Sequence, residues 1–86
     1  MRFILNDDEY TLFKEYVDLS ELNKIELNDD KRIIEIEESD LRLFQLTVSD
    51  ASLIYGFDSH DEVTPLGRKL EALYDTIYYQ SIQPLI

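Results

Sequence analysis

The chain has no cysteine and no tryptophan, only two glycines and two prolines, and a single histidine and methionine. Without cysteine there are no disulfides and no thiolate metal sites, so a reducing cytosol is the default compartment. Two glycines do not make a phosphate-cradling loop. Basic residues are also scarce, at eight Lys and Arg against nineteen Asp and Glu, and the longest basic runs are Lys31-Arg32 and Arg68-Lys69. That excludes the basic patches of a nucleic-acid-binding domain. No apolar run approaches the roughly 20 residues of a membrane span. The opening run Arg2–Leu5 is short and is followed at once by Asp7, Asp8 and Glu9, unlike a secretory signal.

What is present is negative charge on a foldable body. The net charge is −11 over 86 residues that are 44% hydrophobic. The apolar content is too high for a disordered acidic tail, and the length suits one domain, residues 1–86. So acidic a surface is repelled by nucleic acid and by anionic lipid. Its natural partners are the basic surfaces of nucleic-acid-binding proteins, although acidity also serves plain solubility. The charge is uneven: residues 1–40 hold thirteen acids and five bases, whereas residues 65–86 hold two of each.

Local patterns predict an α+β domain in the order β-α-β-β-α-α, a small antiparallel sheet packed on helices. Arg2–Leu5 suits a first strand. Asn6 before three acids is a helix start, because free amides and the helix dipole favour acceptors and negative charge there. Leu12, Phe13, Tyr16 and Val17 then recur at helical spacing. Residues 24–27 and 32–37 alternate as a hairpin, with Ile25, Leu27, Ile34 and Ile36 on one side and Glu26, Glu35 and Glu37 on the other. The joining Asn28-Asp29-Asp30-Lys31 has turn chemistry, since Asn and Asp accept left-handed dihedrals.

Residues 41–57 are open to two readings. As strands, Phe44, Leu46 and Val48 alternate and Leu53–Phe57 returns. As a helix, Leu41, Phe44, Val48, Ala51 and Tyr55 form one stripe and Leu43, Leu46, Leu53, Ile54 and Phe57 a second. Ser39 or Asp40 as a cap favours the helix. Thr64-Pro65 opens the last helix, with Leu66, Leu70, Leu73 and Ile77 inward. Gly67 early in that helix costs about 1 kcal/mol relative to Ala and so suggests a close backbone contact. Tyr10, Tyr16, Tyr55 and Tyr74 are expected in the core, Pro84 as a helix stop and Leu85-Ile86 as a frayed tail.

Catalytic patterns are missing. His60 stands in Asp58-Ser59-His60-Asp61-Glu62 without the Gly and Glu spacing of a calcium loop and without further His or Cys for zinc. Asp50, among apolar neighbours, is the best candidate for a perturbed carboxylate, and a solvent-facing acid is the plainer reading. No enzyme, metal or cofactor is expected. The carboxylates themselves remain. Acids two apart on a strand lie roughly 6.6 Å apart, close to two of the roughly 3.4 Å rises along a nucleic-acid strand. Asp7, Asp8, Glu26, Asp29, Asp30, Glu35 and Glu37 are therefore the expected partner-binding residues. Tyr79, opposite the apolar stripe, is an expected contact anchor.

The segments Tyr55-Gly56-Phe57-Asp58, Asp61-Glu62-Val63 and Leu73-Tyr74-Asp75-Thr76-Ile77-Tyr78-Tyr79-Gln80, with Gly67 and Leu70 between them, resemble the C-terminal half of small acidic proteins carried by phages and prophages of Gram-positive bacteria. The resemblance covers about the last third of the chain. It implies a helical reading of 41–57 and a phage origin, and it implies no activity.

Together these expectations describe a non-enzymatic binder in the cytoplasm of a host cell. It would be a phage inhibitor that imitates nucleic acid in the basic groove of a defence nuclease such as a CRISPR effector. The alternative is a homo-oligomeric phage assembly protein, a homodimer through residues 43–57 or Tyr79.

Overall fold

Asn6 starts the first helix as its side chain predicts. Its Oδ1 accepts from the Glu9 amide at 2.8 Å, and Glu9 Oε1 accepts from the Asn6 amide at 3.0 Å. This reciprocal capping box satisfies two otherwise orphaned donors. Glu9 also reaches out of its own helix, because Oε2 accepts from the Thr76 hydroxyl at 2.7 Å. One carboxylate thus caps a helix and ties it to the last one.

The computed structural model describes residues 1–82. The elements run β1 (Arg2–Ile4), α1 (Asp7–Tyr16), β2 (Ile25–Asn28), β3 (Ile33–Ile36), a 3₁₀ turn (Glu38–Asp40), α2 (Leu41–Tyr55) and α3 (Pro65–Ile82). This is the expected α+β order. Residues 41–55 form a helix, and the strand reading is set aside. The expected stop at Pro84 and tail at Leu85-Ile86 lie outside the described residues.

β3 is the central strand of a three-stranded antiparallel sheet, β1-β3-β2. The register sets Phe3 opposite Ile34, and Ile34 opposite Leu27. One sheet face therefore carries the apolar set. The other carries Arg2, Glu35 and Glu26 side by side across three strands. The β1 edge is covered by a side chain from far along the chain. The Gln80 amide donates to the Ile4 carbonyl at 2.7 Å and accepts from the Ile4 amide at 2.8 Å. A carboxamide here completes the ladder as a further strand would, which protects an edge from unwanted pairing.

The hydrophobic core joins every layer. Phe44 of α2 lies with its ring 5.1 Å from Phe3 of β1 and 5.9 Å from Phe13 of α1, and none of the three is exposed. Leu70, Leu73 and Ile77 close it from α3. α2 and α3 run antiparallel. Gln45 near the start of α2 bonds Ser81 near the end of α3 at 2.9 Å. At the other end Gly56 and Gly67 meet back to back. A Cβ on Gly67 would stand 2.8 Å from the Gly56 Cα, closer than carbon atoms pack. Thr64 holds this closure: its amide donates to the Gly56 carbonyl at 2.9 Å, and its hydroxyl accepts from the Gly67 amide at 3.0 Å.

Three expectations need correction. The left-handed residue of the hairpin turn is Arg32, at φ 55°, not the Asn or Asp before it; Asn28 instead anchors the turn by accepting from the Lys31 amide at 3.1 Å. Asp40 precedes α2 without capping it. Its backbone sits at φ −93°, ψ 0°, because the 3₁₀ turn feeds straight into the helix and denies it the extended conformation that a cap uses. Its buried carboxylate accepts from the Asn23 side chain at 3.1 Å instead. Tyr55 is 48% exposed rather than in the core. It falls on the last residue of α2, past the core residue Ala51, and packs on Tyr16 at 5.2 Å between rings.

Candidate functional site

The expected partner-binding acids separate by location. Glu26, Glu35 and Glu37 line one shallow depression together with Lys24. Glu26 and Glu35 are direct cross-strand partners. Like charges directly opposite destabilise a pair of strands, on a scale of about 0.2–1 kcal/mol. Arg2 relieves this from the far side of Glu35, with both Nε and an Nη donating to Oε1 at 3.0 and 2.8 Å. Asp29 and Asp30 stand at the hairpin tip, where a wider cleft of about 560 Å³ also takes in Arg2 and Lys31. The sheet's outer face is thus acidic in excess, with cations interspersed.

Asp7 and Asp8 lie in the first turn of α1. Asp7 bonds Arg32 at 2.9 Å, so the hairpin turn leans on the helix start. Asp8 belongs to a groove between α1 and α3 that also holds Lys69. Among the described residues there are three ion pairs, Arg2–Glu35, Lys14–Asp29 and Arg32–Asp7. Asp8, Glu26, Asp30 and Glu37 take part in none of them. Tyr79 is 60% exposed on α3, its ring edge-on to Tyr78 at 6.3 Å.

Asp29 has a structural partner as well. The Tyr10 hydroxyl donates to its Oδ1 at 2.6 Å and Lys14 Nζ to the same atom at 3.1 Å. The Tyr10 bond, then Lys14, hold the Asp29 carboxyl below the usual carboxylate range. Burial first, and the Asp29 carboxylate second, push the Tyr10 phenol up to about 12. The signs give two pH windows. The raised phenol supplies stability that is complete below its ordinary value of 10.0 and is lost as pH rises toward about 12. The depressed carboxyl supplies stability that is present above the ordinary carboxylate range and lost as pH falls through its lowered value. In a titration of phenolate absorbance Tyr10 should ionise only as pH nears about 12. Tyr10→Phe should remove the late step and return Asp29 toward the ordinary range. An Asp29 carboxyl that titrates the same in the wild type and in Tyr10→Phe would refute the Tyr10–Asp29 bond.

A second charged place was not anticipated as a unit. Asp18, Glu21 and Asp50 line, with Tyr16, Ile54 and Tyr55, a cleft of about 170 Å³ between α2 and the segment after α1. The Ser20 amide, at 3.0 Å, keeps Asp18 below the usual carboxylate range. The sequence signal was the lack of Lys or Arg from residue 43 to residue 67. Asp50 itself is exposed and sits in no apolar pocket.

His60 lies in a turn organised by Asp58, whose carboxylate accepts from the His60 and Glu62 amides at 2.8 and 3.1 Å. Among the described residues no three His, Asp or Glu side chains gather as metal ligands would, and no helix is long and apolar enough to cross a membrane. No protein-family model matches this chain, and neither does any curated protein or solved structure.

Proposed function

We propose that this chain is a non-enzymatic protein-binding module whose outer sheet face occupies the basic nucleic-acid groove of a partner, as a phage-borne inhibitor of a host defence nuclease would. The observation that carries this reading is the gathering of Glu26, Glu35 and Glu37 on one rigid sheet face beside Asp29 and Asp30. Acids two apart along a chain in strand conformation, as Glu35 and Glu37 are, lie roughly 6.6 Å apart, about two rises of a nucleic-acid strand. The fold accepts a like-charge pair on this face, Glu26 opposite Glu35. Neutralisation by Arg2, Lys14 and Arg32 does not oppose the reading. Their carboxylate partners remain 43–83% exposed, and exposed ion pairs are worth about 0–1 kcal/mol. A partner's arginines can therefore displace these cations at little cost.

The test is competition. A purified RNA-guided nuclease, whose heteroduplex channel is positively charged, is titrated with the protein while its loading with a labelled DNA duplex is followed. Wild-type protein should displace the duplex. Glu26→Lys/Glu37→Lys should weaken displacement by roughly tenfold or more, since like-charge juxtaposition costs several kcal/mol. Raising the salt to roughly 0.5 M should weaken it further, because screening then acts within a few ångström. Displacement that ignores both the charge reversal and the salt would rule out mimicry by this face.

A further inference from the structure

The helix α2 is apolar on two sides, and only one is used by the fold. Phe44, Val48 and Ala51 are buried. Leu46, Leu53 and Ile54 are 51%, 64% and 68% exposed, and Phe57 just beyond the helix is 43% exposed. At about 100° per residue, Leu53 points half a turn away from Phe44. Leu46 and Leu53 therefore face away from the core, and Ile54 stands about a quarter turn round from Phe44 at the rim of the cleft with Tyr16 and Tyr55. The helical members of this second stripe fall at i, i+7 and i+8, the spacing by which helices pack lengthwise against one another, and Phe57 extends the apolar surface past the helix end.

We propose that this face of α2 docks a basic amphipathic helix of a partner protein. The choice of occupant follows from charge. Asp50 lies within the stripe, and Asp18 and Glu21 line the cleft beside it. The loop beyond Phe57 adds further acids, and none of the three ion pairs reaches any of them. A second copy meeting this face about a twofold axis would set the acidic rim against itself, and like-charge contact across an interface is penalised. An anionic membrane is repelled for the same reason. A helix with leucines on one side and lysines or arginines flanking them satisfies both features. Its apolar side covers Leu53 and Ile54. One of its cations enters the cleft, where Asp18, Glu21 and Asp50 stand beside the Tyr16 and Tyr55 rings, which pack on each other at 5.2 Å, and supply counter-charge. This docking uses residues separate from the sheet face, so either surface can fail while the other stands.

The probe is a synthetic helix of leucine and lysine in a heptad pattern, about 18 residues long so that it is helical once bound. Its control replaces every lysine by glutamate. The leucine–lysine peptide should bind in fluorescence anisotropy at physiological salt, and the glutamate control should not. Leu53→Ser/Ile54→Ser, at exposed positions that leave the circular dichroism unchanged, should weaken binding by about tenfold or more, the worth of roughly one buried apolar side chain. Asp50→Lys should weaken it by a similar factor, while Glu26→Lys/Glu37→Lys stays within about twofold because neither residue lines the cleft or the α2 stripe. Amide shifts of the wild-type protein on adding the peptide should concentrate on residues 46–57. Equal binding of the two peptides overturns the proposal, as does indifference to Leu53→Ser/Ile54→Ser or amide shifts gathered on the sheet face. So does a protein that sediments alone as a dimer and is split by that double substitution.

Discussion

Phe44→Ala should cost about 3–5 kcal/mol of folding stability, the usual price of removing a fully buried phenylalanine. Phe44 has no exposed surface and is the one ring in contact with both Phe3 and Phe13. Its loss opens a cavity where β1, α1 and α2 meet, and none of those elements can move in without leaving another partner. Stability per residue sets the scale. An 86-residue chain commands roughly 4–13 kcal/mol in total, so this one substitution removes roughly a quarter of it or more. Urea denaturation followed by circular dichroism measures the effect. Leu53→Ala is the control: the residue is just as apolar but 64% exposed, and its substitution should stay within about 0.5 kcal/mol. Similar losses at both positions would mean that Phe44 is not the centre of the core.

Gly67→Ala is the second large effect, and its sign is diagnostic. Helix propensity alone favours alanine by about 1 kcal/mol. The packing opposes it, because the new Cβ would meet the Gly56 backbone, with Cα at 2.8 Å and the carbonyl carbon at 2.9 Å. Both sides of that contact are main chain, so no side chain can rotate away. Relief requires the α2–α3 closure to open and the Thr64 bonds to the Gly56 carbonyl and the Gly67 amide to lengthen. The expected loss is about 3 kcal/mol, at the upper end for overpacking. Gly56→Ala meets the same contact from the other side, at 2.9 Å from the Gly67 Cα. The double variant should therefore lose less than the two single losses added together. A Gly67→Ala protein that melts higher than the wild type would show the helices to be further apart than described.

Much of the architecture was legible because it is written in short-range chemistry. Asn6 followed by acids, and Thr64 followed by Pro65, mark helix starts through atoms within four residues of one another. Ile25 to Leu27 and Ile34 to Ile36 declare strands by alternation, and the choice of face follows from a period of two. Gly67 betrayed itself by being a poor helix residue in a good helix. The errors have physical causes too. Tyr55 continues the apolar stripe of Phe44, Val48 and Ala51, yet a periodic pattern says nothing about where the neighbouring layer ends, and Tyr55 falls beyond it. Asp40 has the right chemistry for a cap, but the 3₁₀ turn before it sets a backbone that a cap cannot use.

The candidate surfaces were legible only in part. The alternation of Glu26, Glu35 and Glu37 told which way they point. It did not tell that, among the described residues, Glu35 has a cation and Glu26 has none, since Arg2 is 33 residues from Glu35 in the chain. The cleft at Tyr16 and Tyr55 was invisible for the same reason, as its acids come from two segments separated by all of β2 and β3.

The amino-acid order by itself determined every element but α2, most of the inward faces and the surplus of negative charge. Those depend on neighbours one to four residues away and on totals that folding does not alter. Which carboxylates are neutralised, which half of α2 stays bare, and how Gln80 seals the edge at Ile4 across 76 positions were decided only by the tertiary structure. Each is a distance between groups that the chain brings together only once its layers have packed.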